Sequence, residues 1–381
     1  MKMKQMHCSQ FNELDQQLPS LVEFNPNIVI IHAGRKWFEQ YDLKKISAQL
    51  PKATVIGCST AGEISHTGVH DNTIVIMAAQ FKNPLTATGV VEFENMGDSF
   101  SAGKSLAEKF DLKRLTSMFV LGKGLNINGS KLIEGIQSLS GPKTQIAGGL
   151  AGDGADFKNT FVLLNGKAYN NAVVALGVYD NSFSISTGSQ GGWKPFGPIR
   201  KVTKAKENVL FEIDGKPALE KYKEYLGENA AKLPAAGLLF PLEILDNENQ
   251  TSGTIRTILA MDDKAGTITF AGEIGEGKLC RLMHTKNEGL IAGAEGAANM
   301  CKETARLGDD GSFAVLVSCV GRKLVMADEI DDEIDAVKEV LSLNKNVIGF
   351  YSYGEISPHP LNKISALHNQ TMTITYFYEG A

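Results

Sequence analysis

Two glutamates sit in closely similar surroundings near opposite ends of this 381-residue chain. Ile56-Gly57-Cys58-Ser59-Thr60-Ala61-Gly62-Glu63-Ile64 returns as Ile348-Gly349-Phe350-Tyr351-Ser352-Tyr353-Gly354-Glu355-Ile356, with five identities in nine positions. A glycine ahead of a carboxylate lets the backbone approach closely or adopt positive φ. The carboxylate can then capture a ligand ammonium or guanidinium through a charge-assisted hydrogen bond. Glu63 and Glu355 are therefore candidate ligand-binding residues, with Ser59, Thr60, Tyr351, Ser352, Tyr353 and Asn369 available as neutral partners. The duplication fits equally a structural turn whose carboxylate caps backbone N–H groups.

Three segments imitate enzyme motifs and depart from them. Gly57-Cys58-Ser59-Thr60-Ala61 lacks the final glycine of a nucleophile elbow and leads towards a loop and strand rather than a helix. Gly97-Asp98-Ser99-Phe100-Ser101-Ala102-Gly103-Lys104-Ser105 spaces its glycines by five residues where a phosphate-binding loop needs four. Gly148-Gly149-Leu150-Ala151-Gly152-Asp153-Gly154 lacks both the spacing and the following helix of a dinucleotide fingerprint, and reads as a turn. No catalytic residues are assigned, and a non-enzymatic protein is expected.

The elements that must position these residues also repeat. Strand-like Ile28–Ala33 runs into Gly34-Arg35-Lys36, and strand-like 314–320 runs into Gly321-Arg322-Lys323. Each is followed by apolar residues at helical spacing (Leu43, Ile46, Leu50; Ile334, Val337, Val340 or Leu341), then by the Gly-Glu turn and a final strand. A looser third copy is read at 118–178, with a helix over 130–138. After the Gly/Pro-rich stretch 188–198 come a strand at 209–213, a Pro-started helix through Leu226, and alternating runs at 254–261, 267–274 and 278–284 typical of hairpins. A helix follows over 292–305. The expected fold class is mixed α/β (α+β), in two domains with internally duplicated strand-helix-strand-turn-strand units and substantial antiparallel sheet. The expected boundaries are 1–190, a linker at 191–200, and 201–381.

Composition narrows the classes further. With 43% hydrophobic residues the chain has ample material for a core, and 38 Lys plus Arg against 43 Asp plus Glu leave a net charge of −5. No long block of one sign appears, which disfavours a nucleic-acid partner. Apolar runs stop far short of the ~18 residues of a spanning helix, and the start shows no secretory signal. A cytoplasmic protein without membrane insertion is expected. Five scattered cysteines, never in Cys-x-x-Cys spacing, predict reduced thiols rather than a disulfide framework or zinc ribbon.

The two Gly-Glu segments, the closing Leu367-His368-Asn369-Gln370-Thr371-Met372-Thr373, and Val202-Thr203-Lys204-Ala205 with Asp214-Gly215-Lys216-Pro217-Ala218 together resemble the FIST family, with its N-terminal and C-terminal FIST domains. The resemblance covers nearly the whole chain. It implies a sensory module for a small-molecule or gas ligand. Stand-alone two-domain members are haem-containing nitric oxide sensors that regulate a separate histidine kinase, and a cyclic-dinucleotide signalling enzyme is the other expected kind of partner. Haem needs an axial ligand inside an apolar pocket. Among seven histidines, His368 is the first candidate for the iron, since Asn369-Gln370-Thr371 can fix its tautomer. His284 is the second, and His32, His66 and His70 are weaker. The alternative is a haem-free sensor of an amino acid or similar polar metabolite read by Glu63 or Glu355. The oligomeric state is left open, with a homodimer among the options.

Overall fold

The computed structural model describes residues 1–180, 182–233, 235–248, 253–305, 311–359 and 362–379. One pattern runs through the chain three times: strand, helix, strand, helix, strand, hairpin, strand. The first unit comprises β1 (Lys2–Cys8), α1 (Phe11–Phe24), β2 (Ile28–Ala33), α2 (Arg35–Gln40), α3 (Lys44–Gln49), β3 (Thr54–Ser59), a hairpin of β4 (Glu63–Ser65) and β5 (Gly68–His70), and β6 (Ile74–Gln80). The second has β7 (Thr86–Glu92), α4 (Ser99–Ala107), β8 (Leu115–Gly122), α5 (Gly129–Ser140), β9 (Gln145–Leu150), the hairpin β10 (Val162–Leu164) and β11 (Lys167–Tyr169), and β12 (Ala172–Tyr179).

The third unit opens with β13 (Ser184–Gln190) and is then interrupted by an insert. The insert contains β14 (Lys194–Pro195), β15 (Arg200–Lys206), β16 (Val209–Ile213), β17 (Lys216–Pro217), α6 (Ala218–Leu226), β18 (Leu242–Leu245), β19 (Thr254–Arg256), β20 (Ile258–Asp262), β21 (Thr267–Phe270) and β22 (Leu279–His284). Its strands form a separate antiparallel sheet. The unit resumes with α7 (Asn287–Thr304), β23 (Ser312–Cys319), α8 (Val320–Met326), α9 (Ile330–Leu341), β24 (Val347–Ser352), the hairpin β25 (Gly354–Pro358) and β26 (Ser365–His368), and β27 (Met372–Tyr378). The mixed α/β class, the duplicated units and the antiparallel content expected from the sequence are all present. The third copy is a complete unit.

Each unit contributes four strands in one order, β1-β6-β2-β3, β7-β12-β8-β9 and β13-β27-β23-β24. In each, the pair linked by the second helical crossover is parallel, as a helical connection requires. The last two strands of each of these three sheets come from a different unit. β10 pairs with β3, β25 with β9, and β4 with β24. The second unit's hairpin therefore completes the first sheet, the third unit's completes the second, and the first unit's completes the third.

The central strands are apolar on both sides because both sides are covered. Ile28 and Ile30 of β2 point into a common core with Phe119 and Leu121 of β8 and Val315 and Val317 of β23. The alternate residues Val29 and Ile31 pack with Leu14 and Leu18 of α1, Trp37 of α2 and Ile46 of α3. Equivalent outer layers hold α4 and α5 against the second sheet, and α7 and α9 against the third. Full burial of one such Leu, Ile or Phe contributes about 1.5–3 kcal/mol. The insert has its own apolar centre around Tyr222, Leu242, Ile268 and Phe270.

The Gly-Arg-Lys repeat is not equivalent in three dimensions. Gly57 pairs with Ile31 and Gly349 with Leu316. By that register Arg35 lies four residues past its reference position and Arg322 six, so the identical triplets point their cations into different surroundings. Residues 191–200 are held in place: Arg322 donates to the Gly191 carbonyl at 2.7 Å, Thr285 donates to that of Gly192 at 3.0 Å, and β14 pairs with β22. The sheet containing β13, β23 and β27 also takes in β4 and β5, so it draws strands from both sides of that stretch. Among the described residues, no helix is long and apolar enough to cross a membrane.

Gly57 and Gly349 recur for a steric reason. A Cβ on either would fall far inside van der Waals contact with the facing carbonyl oxygen, of Ile31 and of Leu316 respectively. Gly57→Ala should lower unfolding free energy by about 2–3 kcal/mol, the usual cost of overpacking a dense core, measured as a reduced midpoint in urea with an unchanged slope.

Candidate functional site

The two glutamates occupy matching local networks. Glu63, at the start of β4, accepts from the Thr60 hydroxyl on Oε1, and from the Thr73 N–H (2.7 Å) and hydroxyl (2.8 Å) on Oε2. Glu355, near the start of β25, accepts from the Ser352 hydroxyl (2.9 Å) on Oε1, and from the Thr371 N–H (3.1 Å) and hydroxyl (3.0 Å) on Oε2. Thr73 and Thr371 immediately precede β6 and β27. Each carboxylate thus ties the beginning of an exported hairpin to the strand that returns to its own unit. Neither has an oxygen without a protein donor. Burial pushes Glu63 up to about 7 and Glu355 up to about 8, while these donors pull both down.

The neutral neighbours are also engaged. Ser59 Oγ donates to the Gly152 carbonyl (2.7 Å) and accepts from the Phe161 N–H (2.8 Å), joining the first unit to the second. Beside it, burial holds the Cys58 thiol well above its ordinary range. Tyr351 donates to Glu333 at 2.6 Å within a buried network completed by Ser318 and the Arg322–Glu333 ion pair at 2.6 Å. Tyr353 bonds the Asp153 carboxylate and stacks on Phe157 with ring centroids 4.4 Å apart. The residues suggested by the repeats are therefore spread over three places.

The histidines are separated as well. His368 ends β26, buried, with Nε2 3.0 Å from the Ser357 carbonyl. Burial lowers it to about 4, so near neutral pH it is an uncharged ring donating from Nε2 with Nδ1 as its other nitrogen. It borders a hollow of about 250 Å³ whose walls include Gln190, Trp193, Glu243, His359 and Thr371. His284 ends β22, with Nδ1 3.2 Å from the Leu239 carbonyl and its ring 4.7 Å from that of Phe240. It borders a different depression, with Thr285, Lys286 and Glu288.

Two further recesses adjoin residues singled out in the sequence. One, of about 370 Å³, is polar: Glu63, Thr60, Asp71 and Asn72 line it with Arg35, which is paired to Asp153 at 3.1 Å and Asp156 at 2.9 Å. The other, of about 490 Å³, is predominantly apolar and lies between the three-unit body and the insert. Its body wall includes Leu125, Ile127, Leu150, Tyr353, Asn369 and Leu324. Its insert wall includes Leu238, Thr257, Ile258, Leu259 and Phe270. Met96, Phe157, Leu259 and Leu324 expose large apolar surface around it. An apolar recess with a few convergent polar groups is the usual form of a small-molecule site.

Sequence reasoning reached Tyr353 and Asn369 of this recess and missed the rest. The insert wall was read as hairpins, and its lining residues come from segments too far apart to share a local pattern. Among the described residues, no histidine lines the recess. Its one thiol, Cys319, is pushed up to about 12 by burial and stays protonated. Neither His368 nor His284, the residues expected to hold the iron, borders this recess, and the hollow beside His368 is smaller, with polar and apolar wall in about equal share.

This architecture defines a mixed α/β protein of three interlocked units with an antiparallel insert and an apolar recess between them. The chain belongs to the FIST family: the FIST N domain matches residues 27–216 and the FIST C domain residues 218–358. FIST domains are associated with small-ligand sensing in signalling proteins. An uncharacterized protein of Methanocaldococcus jannaschii is 24% identical across 80% of this chain, which spans 64% of that relative's length. An uncharacterized protein of Mycobacterium tuberculosis is 22% identical, covering 88% of this chain and 87% of its own. Among solved structures, a cyanuric acid hydrolase from A. caulinodans aligns over 100% of this chain and 99% of its own with a TM-score of 0.37 and 8% identity. Nothing about activity follows from that likeness.

The Glu355 environment sets a pH dependence. Its folded pKa, about 8, lies above its ordinary 4.5. Between those values the unfolded state releases the proton while the folded state keeps it, so stability is lost as pH rises through that window. Glu63, raised to about 7, acts in the same direction. Urea denaturation at pH 5, 6.5 and 8 should show unfolding free energy falling by up to about 1.4 kcal/mol per pH unit for one such group, with a shallower fall in Glu355→Gln.

Proposed function

We propose that this protein senses a small, largely apolar ligand held between the three-unit body and the insert. The observation that carries the reading is the apolar recess of about 490 Å³ whose two walls belong to those two parts of the chain. A ligand shifts a conformational equilibrium only by its differential affinity for the two states. One that contacts both walls favours the arrangement in which they are close, so occupancy alters how the insert sits on the body. The association of FIST domains with signalling proteins supports an output by contact with a separate partner such as a histidine kinase or a cyclic-dinucleotide enzyme.

This reading departs from the haem-based nitric oxide sensor implied by the family resemblance. His368 has its Nε2 at the Ser357 carbonyl, His284 lies in another depression, and among the described residues the apolar recess has no histidine in its lining. The amino-acid reading is disfavoured for a different reason, since Glu63 and Glu355 already accept from their own threonines and serine.

Fluorescence titration with 1-anilinonaphthalene-8-sulfonate tests the recess. Leu324→Trp adds bulk at an exposed position of its lining and should weaken probe binding about tenfold, or about 1.4 kcal/mol, with little change in melting temperature. Unchanged binding would place the probe elsewhere and remove the recess as the site. A parallel haemin titration should give spectra that do not differ between wild type and His368→Ala. A Soret band lost on that replacement would restore the haem reading.

A further inference from the structure

Asn369 is 1% exposed, lines the apolar recess, and has no hydrogen-bond partner on either its Nδ2 or its Oδ1. Thr257, on the opposite wall and 6% exposed, likewise has an unpartnered hydroxyl. Buried polar groups are nearly always satisfied, because an orphaned donor or acceptor bears its full desolvation penalty. Other buried polar atoms also lack a partner, among them His32 Nε2, Gln370 Oε1 and Thr375 Oγ1, but the two that line this recess come one from each wall, and Asn369 leaves both ends of its carboxamide unpaired.

The position of Asn369 is also held from both sides. His368 is bonded to the Ser357 carbonyl, and Thr371 is bonded through N–H and hydroxyl to Glu355. The Gln370 carbonyl accepts from Trp193 Nε1 at 2.8 Å. The carboxamide therefore projects from a fixed backbone, as a preorganised recognition group should.

We propose that Asn369 reads a cis-amide edge, an N–H beside a C=O, on a planar neutral heterocycle bound in the recess, with Thr257 bonding the same ligand from the insert. The proposal rests on the recess being the ligand site. An Asn carboxamide offers one donor and one acceptor side by side in a plane and pairs bidentately with a matching edge, as it does with adenine in nucleic-acid recognition. A lone hydroxyl or carbonyl on the ligand would leave half of the carboxamide unpaired. A carboxylate would leave Oδ1 facing another acceptor, and among the described residues the only charged side chain of the lining is the exposed Lys232. Phe157, Tyr353 and Phe270 supply aromatic surface suited to a flat ring.

Isoquinolin-1(2H)-one carries such an edge, and its N-methyl derivative has the same ring and carbonyl without the N–H. Isothermal titration of the full chain should show the lactam binding about tenfold or more tightly than the N-methyl compound, in line with one bidentate pair. Asn369→Leu should abolish that preference while retaining affinity for the N-methyl compound, and its ligand-free melting temperature should equal or exceed wild type. Thr257→Val should weaken the lactam by a smaller factor. Equal binding of both compounds to wild type, or a preference that survives in Asn369→Leu, would overturn the assignment and leave the recess intact as a site. The wild-type comparison does not depend on any variant folding. If neither compound binds while 1-anilinonaphthalene-8-sulfonate still does, the ligand class falls alone. If that probe also fails to bind, the recess falls with it.

Discussion

Each of the three unit sheets ends in a hairpin borrowed from another unit, and the rest of the structure depends on that exchange. Without β10, β25 and β4, the strands β3, β9 and β24 would each leave an unpaired row of backbone N–H and C=O groups beside an apolar core. Unpaired backbone polar groups are costly to bury and invite aggregation when exposed. Passing the hairpins around a closed cycle removes that edge from all three sheets at once.

The exchange explains what the duplicated carboxylates do. A hairpin that leaves its unit must depart at a fixed point, and the strand after it must return. Glu63 and Glu355 hold departure and return together through one hydroxyl three residues upstream and one threonine at the re-entry. The second unit solves the same problem differently. Asp153 follows Gly152 at the corresponding turn, but its carboxylate accepts from the backbone of Phe157, Lys158 and Asn159 and pairs with Arg35. It organises the loop towards β10 instead of spanning to a distant threonine.

The insert is attached to the body at several fixed points. It joins the body through β13 and α7, through Arg322 on the Gly191 carbonyl, and through the buried Arg256, whose guanidinium donates to the Leu367 carbonyl at 3.2 Å. Burial lowers Arg256 to about 10, so it remains a cation near neutral pH. Away from these ties the two parts face each other across the apolar recess.

The sequence by itself determined the local elements and their repetition. Helical spacing at Ile334, Val337 and Leu341, the doubled Gly-Glu-Ile segment, and the apolar strands at 28–33 and 314–319 are patterns within a few residues, governed by side-chain periodicity and backbone sterics. The two glutamates stand out in the sequence as a pair, and each accepts hydrogen bonds from a nearby hydroxyl and a distant threonine. Only the tertiary structure decided where the hairpins go, because strand-edge pairing between residues as distant as Glu63 and Phe350 leaves no local period to read. It also decided that Arg35 and Arg322, identical in context, serve different networks, since a two-residue offset at the end of a strand redirects the side chain. The recess belongs to the same class: Ile127, Thr257, Leu324 and Asn369 meet only because separate elements pack together, and an unpartnered carboxamide becomes visible only when its neighbours are in place.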